Sequence, residues 1–158
     1  MRTRIIAILS LFFFIGMIDV QGEKVYPPVD ILIDAGHGGV DSGTSYGEIE
    51  EKEINLSVGK RLYEQLSQSG YHVVLNRFGD YALSDDNHWL LDPSRHRRDL
   101  AQREHLANAL SPKILISLHV NWSNKPLEHG PQVFFQKNHR SLVLANFIQQ
   151  ALNELYNT

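Results

Sequence analysis

The sequence of 158 residues contains no cysteine. A disulfide framework, a thiolate metal site and a cysteine nucleophile are therefore all excluded. Any metal ion that this chain binds must be held by histidine, aspartate or glutamate side chains.

An excess of positive charge is also missing, because 15 lysine and arginine residues stand against 18 aspartate and glutamate residues. A nucleic-acid-binding surface needs clustered basic side chains. The basic cluster at residues 95–98 is short, and we interpret it as a solvated turn that leads into a helix. We therefore expect no nucleic-acid partner.

No uninterrupted apolar run reaches the roughly 20 residues that a membrane-spanning helix needs. The longest apolar stretch, residues 5–18, follows Arg2 and Arg4 and is interrupted by Ser10 and Gly16. This composition is typical of an export signal, so we predict a signal peptide at residues 1–22, with cleavage after Gly22. An uncleaved N-terminal membrane anchor is the alternative, because the Ala-x-Ala form is absent. Either reading predicts an exported domain at residues 23–158.

Beyond the export segment, strand and helix patterns alternate along the chain. The pattern predicts strands at residues 29–34, 71–75, 114–119 and 132–136, and helices at residues 52–69, 99–110 and 141–156. Residues 78–98 are predicted to form a long polar loop. The alternation predicts one α/β domain in which a layered sheet carries helices on both faces.

Two histidines follow predicted strands, and the carboxyl edge of an open α/β sheet is where ligands bind. His37 lies in a glycine-rich loop after the first strand, and His119 ends the third. Glu51 lies fourteen residues after His37, just before the first helix, where the chain can turn it back toward this edge. Two imidazoles and one carboxylate are typical of a catalytic zinc site, in which a fourth position stays open for water.

Each of these residues also has a structural interpretation. A histidine at a strand end often makes only hydrogen bonds, and Glu51 fits a solvated acidic helix start, which the helix dipole favours. The other histidines show no paired spacing, and we assign them to the surface or to packing: His72, His88, His96, His105, His129 and His139.

Four motifs in order carry a family resemblance. They are the loop at residues 34–39, Glu51-Lys52 with Asn55-Leu56, Asp99-Leu100 with Arg103 and Ala107-Asn108, and the segment at residues 117–121. From about Ile31 onward the chain resembles the zinc-dependent N-acetylmuramoyl-L-alanine amidases, the type 3 amidase family. The long segment before Asp99 is similar to the branch of this family that acts on spore cortex.

The resemblance implies that the chain hydrolyses the amide bond between N-acetylmuramic acid and L-alanine in peptidoglycan. It implies that His37, Glu51 and His119 bind Zn²⁺, and that Arg103 and Asn121 contact substrate. It also implies an extracytoplasmic location, in the cell wall or at the membrane. Further positions match the family pattern: Arg77, Asp80, Gly130 and Phe134.

The sequence departs from the family pattern at its end. The family's general-base glutamate lies in a later strand and loop, and Glu154 instead continues a helix pattern before Thr158. The resemblance therefore implies that the last part of the fold is missing and that hydrolysis is weak or absent, since losing a general base costs about 10²–10⁴-fold in rate. The alternatives are a silent zinc-retaining wall-binding or regulatory fragment, and a domain whose histidines only make hydrogen bonds.

Overall fold

The computed structural model describes residues 27–121 and 130–156. The predicted export segment, residues 1–22, lies outside this part of the chain. The strands are β1 (Ile31–Ala35), β2 (Ser45–Tyr46), β3 (Ile49–Glu50), β4 (Val73–Leu75) and β5 (Ile114–Leu118). The helices are α1 (Glu51–Gln68), α2 (Arg95–Leu110) and α3 (His139–Tyr156), with a short 3₁₀ helix at Leu83–Asp85.

A parallel sheet forms the centre of the described domain, with the strand order β4-β1-β5. β1 pairs with both neighbours, so that Ile33 lies opposite Leu75 on one side and Ile116 on the other. Parallel neighbours need crossover connections, and α1 and α2 lie in the two crossovers. The predicted α/β class is confirmed.

Alternate residues of β1 point to opposite faces of the sheet. Ile31, Ile33 and Ala35 are buried together with Leu75 under α1, and burying each large aliphatic side chain stabilises the fold by roughly 1.5–3 kcal/mol. Partly buried residues complete this core: Leu62, Tyr63, Leu66, Val73, Ile114, Ile116 and Leu118. On the other face, the Asp34 carboxylate meets Arg103 of α2. Helices therefore flank both faces of the sheet, as predicted.

The first half of α1 buries polar or small residues. Glu51, Asn55 and Gly59 are its buried positions, whereas the apolar residues Ile54 and Val58 are 37% and 47% exposed. This half of the helix faces the carboxyl edge of the sheet, where polar groups collect, and the apolar core lies under the second half.

The helix α2 begins four residues earlier than the sequence predicts, because Ser94 caps it. The Ser94 hydroxyl oxygen accepts a hydrogen bond from the Arg97 N–H at 3.3 Å. Residues 95–98 are therefore the first helical turn, and their interpretation as a turn before the helix was wrong. The preceding loop is shorter than predicted, and Ala82 and Leu83 within it are buried.

Residues 132–136 are not in a strand, and that prediction was wrong. The side chain of Gln149 on α3 takes the hydrogen bonds that a neighbouring strand would otherwise make. It accepts from the Val133 N–H at 2.8 Å and donates to the Pro131 carbonyl at 2.9 Å. Phe134 is 81% exposed.

The remaining predicted elements are confirmed with shifted ends, α3 starting two residues before the predicted helix. Within residues 27–121 and 130–156, no helix combines the length and the apolar character needed to cross a membrane.

Candidate metal centre

Neighbouring parallel strands bring the two predicted histidines to one edge of the sheet. β1 and β5 end side by side, and the Gly36 N–H donates to the Leu118 carbonyl at 3.0 Å just beyond them. His37 and His119 follow this last pairing, and Glu51 opens α1 beside them. The potential ligand atoms of His37, Glu51 and His119 all lie within 4.8 Å of one another.

Glu51 lies between the two imidazoles. Its Oε1 is 3.3 Å from His37 Nε2 and 3.0 Å from His119 Nδ1. The two rings are nearly perpendicular, with their centroids 5.0 Å apart. The Glu51 side chain is 4% exposed, the His37 side chain 23% and the His119 side chain 49%, so the centre opens to solvent on the His119 side.

The Glu51 carboxylate is fixed by donors on both oxygens. The Thr44 N–H donates to Oε2 at 2.9 Å and the Val120 N–H donates to Oε1 at 2.8 Å. Burial opposes ionisation, but these backbone donors and His37 outweigh it and hold the pKa of Glu51 below its ordinary value. Glu51 is thus a buried, ionised carboxylate, and the interpretation as a solvated helix start does not hold.

Two glycines leave room for this arrangement. A Cβ at Gly36 would lie 2.7 Å from His119 Nε2, and a Cβ at Gly43 would lie 2.6 Å from Glu51 Oε2. Both distances are shorter than van der Waals contact, so larger residues would displace the His119 or Glu51 side chain.

The donor set fits zinc. Two imidazoles and one ionised carboxylate are ligands that a catalytic Zn²⁺ ion takes in proteins. The half-exposed His119 side leaves an open direction for water or substrate. His37, Glu51 and His119 are therefore the side chains that would hold the ion.

Arg77 braces the loop that carries His37. Its side chain is fully buried and donates to four backbone carbonyls, those of Ala35 at 3.1 Å, Gly36 at 3.0 Å, Lys52 at 2.8 Å and Gly79 at 3.1 Å. These bonds join the end of β1, the start of α1 and the segment after β4, the three pieces that surround the centre.

Arg103, predicted to contact substrate, donates to the loop from the other side. It donates to the His37 carbonyl at 3.0 Å and pairs with the carboxylates of Asp34 and Asp99. Although burial opposes the charge, these carboxylates raise the pKa of Arg103. Its side chain is 12% exposed and lies in the wall of a cleft.

Asp80 and Lys52 close the glycine-rich loop. Asp80 accepts from the Gly39 N–H at 2.7 Å and from Lys52 Nζ at 2.9 Å, while Lys52 Nζ also donates to the Gly39 carbonyl at 2.9 Å. The ion pair with Lys52 is the main reason why the pKa of Asp80 lies below its ordinary value.

A cleft of about 330 Å³ adjoins the centre between α2 and the sheet. His37, His119 and Arg103 line it together with His96, which no sequence pattern distinguishes from the surface histidines. Asn121, the other predicted substrate contact, is exposed two residues beyond His119. The matching positions Gly130 and Phe134 are both exposed.

Two further residues at the centre were not predicted to take part. Asp41 lies 3.2 Å from His37 Nδ1, and one aspartate in a glycine-rich loop carries no pattern that reveals this contact. Asn55 donates to the Gly36 carbonyl at 3.3 Å and to Glu51 Oε1 at 3.4 Å. Its position one helical turn after Glu51 is a signal that could have identified it.

The N-acetylmuramoyl-L-alanine amidase family model matches residues 31–158, which include every element described above. The chain belongs to this family. Two curated Bacillus subtilis proteins are each 32% identical to it: the uncharacterized protein YqiI over 136 residues, and a germination-specific N-acetylmuramoyl-L-alanine amidase over 124 residues. The matches cover 84% and 77% of this chain, and 55% and 52% of the relatives.

Solved amidase structures share the fold. The CwlD amidase from Clostridioides difficile, solved in complex with the GerS lipoprotein, is 29% identical with a TM-score of 0.71, over 80% of this chain and 66% of that one. The catalytic domain of CwlV from Bacillus (Paenibacillus) polymyxa is 28% identical with a TM-score of 0.59, over 77% and 61%. The chain thus spans about half the length of the two curated relatives and about two thirds of these structures.

Proposed function

We propose that this chain binds zinc through His37, Glu51 and His119 and hydrolyses the amide bond between N-acetylmuramic acid and L-alanine in peptidoglycan. The convergence of two imidazoles and a buried carboxylate within 4.8 Å carries the proposal. Membership of the amidase family supports the choice of substrate. The similarity to a germination-specific relative supports spore cortex as the form of peptidoglycan.

A bound zinc ion polarises a carbonyl and raises the acidity of water, which promotes attack on an amide near neutral pH. The residues of the chain supply the rest. Glu51 remains ionised, His119 leaves the centre open on one side, and the cleft beside it gives a polymer room to approach. Arg103 in the cleft wall and the exposed Asn121 are the proposed substrate contacts.

Amide hydrolysis also needs a general base, and we assign that role to no residue of the described part of the chain. A silent, zinc-retaining wall-binding or regulatory fragment is therefore the second candidate function. The two candidates share the metal centre and differ in turnover.

The first experiment measures zinc by elemental analysis of the purified protein. We expect about one ion per chain, lost in His37→Ala and His119→Ala, whereas the exposed His88→Ala retains it as a matched control. Protein that neither contains nor takes up zinc would contradict both candidates.

The second experiment incubates the zinc-loaded protein with purified peptidoglycan from spore cortex and from vegetative wall. Release of peptides with a free L-alanine amino terminus supports the hydrolase, and preference for cortex supports the proposed substrate. Zinc binding with no release in either sample would favour the silent fragment.

We further propose that the chain acts outside the cytoplasm, since its apolar segment at residues 5–18 follows two arginines. N-terminal sequencing of the exported protein should find a start after Gly22. A retained N-terminus in the membrane fraction would instead indicate an anchor.

A further inference from the structure

The two ring nitrogens of His37 face different carboxylates. Nε2 is 3.3 Å from Glu51 Oε1, inside the proposed metal centre, and Nδ1 is 3.2 Å from Asp41 Oδ2. A neutral imidazole carries one N–H and one lone pair, and the partner of one nitrogen decides which nitrogen holds the proton. A carboxylate at Nδ1 therefore favours the tautomer in which Nε2 is the metal ligand.

Asp41 is held in place by backbone and side-chain contacts. Its backbone N–H and carbonyl both bond to Gly38, at 3.1 Å and 3.0 Å, directly beside His37. The Gly43 N–H donates to Asp41 Oδ1 at 3.3 Å, and Arg95 at the start of α2 lies 3.7 Å from Oδ2. The carboxylate thus has partners on both oxygens, which restrict its movement.

The backbone of His37 is restrained as firmly as its side chain. Its φ of 60° lies in the left-handed region, which residues other than glycine rarely adopt. Such a conformation is strained and persists where the surroundings determine it. Arg103, which donates to the His37 carbonyl at 3.0 Å, supplies part of that restraint.

We propose that Asp41 is a positioning residue that holds the Nδ1 proton of His37, directs Nε2 toward Glu51 and His119, and is itself steadied by Arg95. The inference rests on the proposed metal centre. Asp41 acts through His37 and is not a ligand, because it contacts the nitrogen on the other side of the ring from Glu51.

The first test measures zinc affinity of the full chain by competition with a chelator. Loss of a carboxylate behind a histidine ligand typically weakens metal binding 10–100-fold, so we expect a weakening of about that size in Asp41→Ala. The zinc affinity of Asp41→Asn should lie between those of the wild type and Asp41→Ala, since the amide oxygen of asparagine still accepts a hydrogen bond. The exposed Asp86→Ala serves as the matched control and should bind like the wild type.

The second test records the imidazole ¹⁵N chemical shifts of His37 in the metal-free chain. We expect the proton mainly on Nδ1 in the wild type and in Asp41→Asn, and displaced toward Nε2 in Asp41→Ala, where Glu51 is the remaining carboxylate that faces the ring. A purely structural role would change the melting temperature without changing the tautomer, so this measurement separates the two roles.

Unchanged zinc affinity and an unchanged tautomer in folded Asp41→Ala would overturn the inference. If Asp41→Ala does not fold, the test uses the wild type and Asp41→Asn. A His37 proton on Nε2 in the wild type, together with the same tautomer and the same zinc affinity in Asp41→Asn, would overturn the inference equally. Zinc retained by His37→Ala is a different result, because it would refute the proposed metal centre itself.

Discussion

At the scale of single residues, space and hydrogen bonding decide what the centre tolerates. Gly36 and Gly43 lie against the potential ligands, and Arg77 uses all of its donor nitrogens on backbone carbonyls. These residues contribute no ligand atom. They determine where the candidate ligand atoms lie.

Gly36→Ala should weaken zinc binding by displacing His119, because its Cβ would lie 2.7 Å from the ring Nε2. We expect a loss of at least about tenfold in affinity, or about 1.4 kcal/mol, measured by chelator competition. Gly79→Ala is the matched control, since its Cβ would meet Tyr81 at an ordinary 3.4 Å. Equal affinity in both variants would show that His119 moves aside without cost.

Arg77→Lys should destabilise the fold although it preserves the charge. A lysine offers one nitrogen in place of the planar guanidinium, so most of the four hydrogen bonds are lost, at about 0.5–1.5 kcal/mol each. We expect the free energy of unfolding in urea to fall by about 2–4 kcal/mol. Arg61→Lys, on the exposed side of α1, should change it little, and similar values for both would refute the bracing role.

At the scale of elements, α1 joins the centre to the core. Its first half carries Glu51 and Asn55, and Gly59 follows as the next buried position. A Cβ at Gly59 would already be 3.1 Å from Leu75 Cδ1 and 3.5 Å from Ala35 Cβ. The absence of a side chain here allows the helix to approach β1 and β4.

Gly59→Leu should therefore push α1 away from the sheet. Overpacking of this kind costs about 1–3 kcal/mol, and we expect that decrease in the free energy of unfolding together with weaker zinc binding, because Glu51 moves with the helix. Ser57→Leu adds the same side chain at an exposed position. If both variants were equally stable, the close approach at Gly59 would not limit the packing.

The sequence predicts most elements because their patterns are local. The buried run of β1 and the strand end before His119 follow from apolar periodicity, and the carboxyl ends of parallel strands meet in space. The start of α2 was predicted too late because the signal was the Ser94 cap and not an apolar residue. Residues 132–136 have a strand-like pattern, but the side chain of Gln149, and not a neighbouring strand, makes hydrogen bonds with the backbone of Pro131 and Val133.

At the candidate metal centre, too, some residues were predicted from the sequence and others were not. His37, Glu51 and His119 were predicted as ligands from strand ends and the family resemblance, and the structure brings them together. The contacts of Asp41 and Arg77 were not predictable. Their partners are a ring nitrogen across a loop and backbone carbonyls from three segments, and no spacing in the sequence encodes either.

At the scale of the whole molecule, a small number of charged links hold the loops against the three-stranded sheet. The link between Lys52 and Asp80 joins α1, the glycine-rich loop and the segment after β4. Acid should open this link before it affects the apolar core.

Asp80→Asn should change how stability depends on pH. The pKa of Asp80 in the folded chain is below the value of 3.8 of a free side chain. Its contribution is therefore present above about pH 4 and is lost as the pH falls through the lower folded pKa. Urea unfolding should show a wild type that is more stable than the variant at neutral pH, with the two converging as the pH falls below 3.8. A difference that stays constant over this range would exclude the ion pair as its source.

The bonding of Arg77 has a consequence for how this sequence can change over time. Its four acceptors are main-chain oxygens, which every amino acid supplies. Side chains at those four positions can be exchanged without removing an acceptor, provided that the backbone keeps its path. Replacement of Arg77 itself, in contrast, has no compensating exchange at those positions, because none of them can return the missing donors. Mutational constraint is thus concentrated on one member of the contact, and selection for restored folding should recover arginine at position 77.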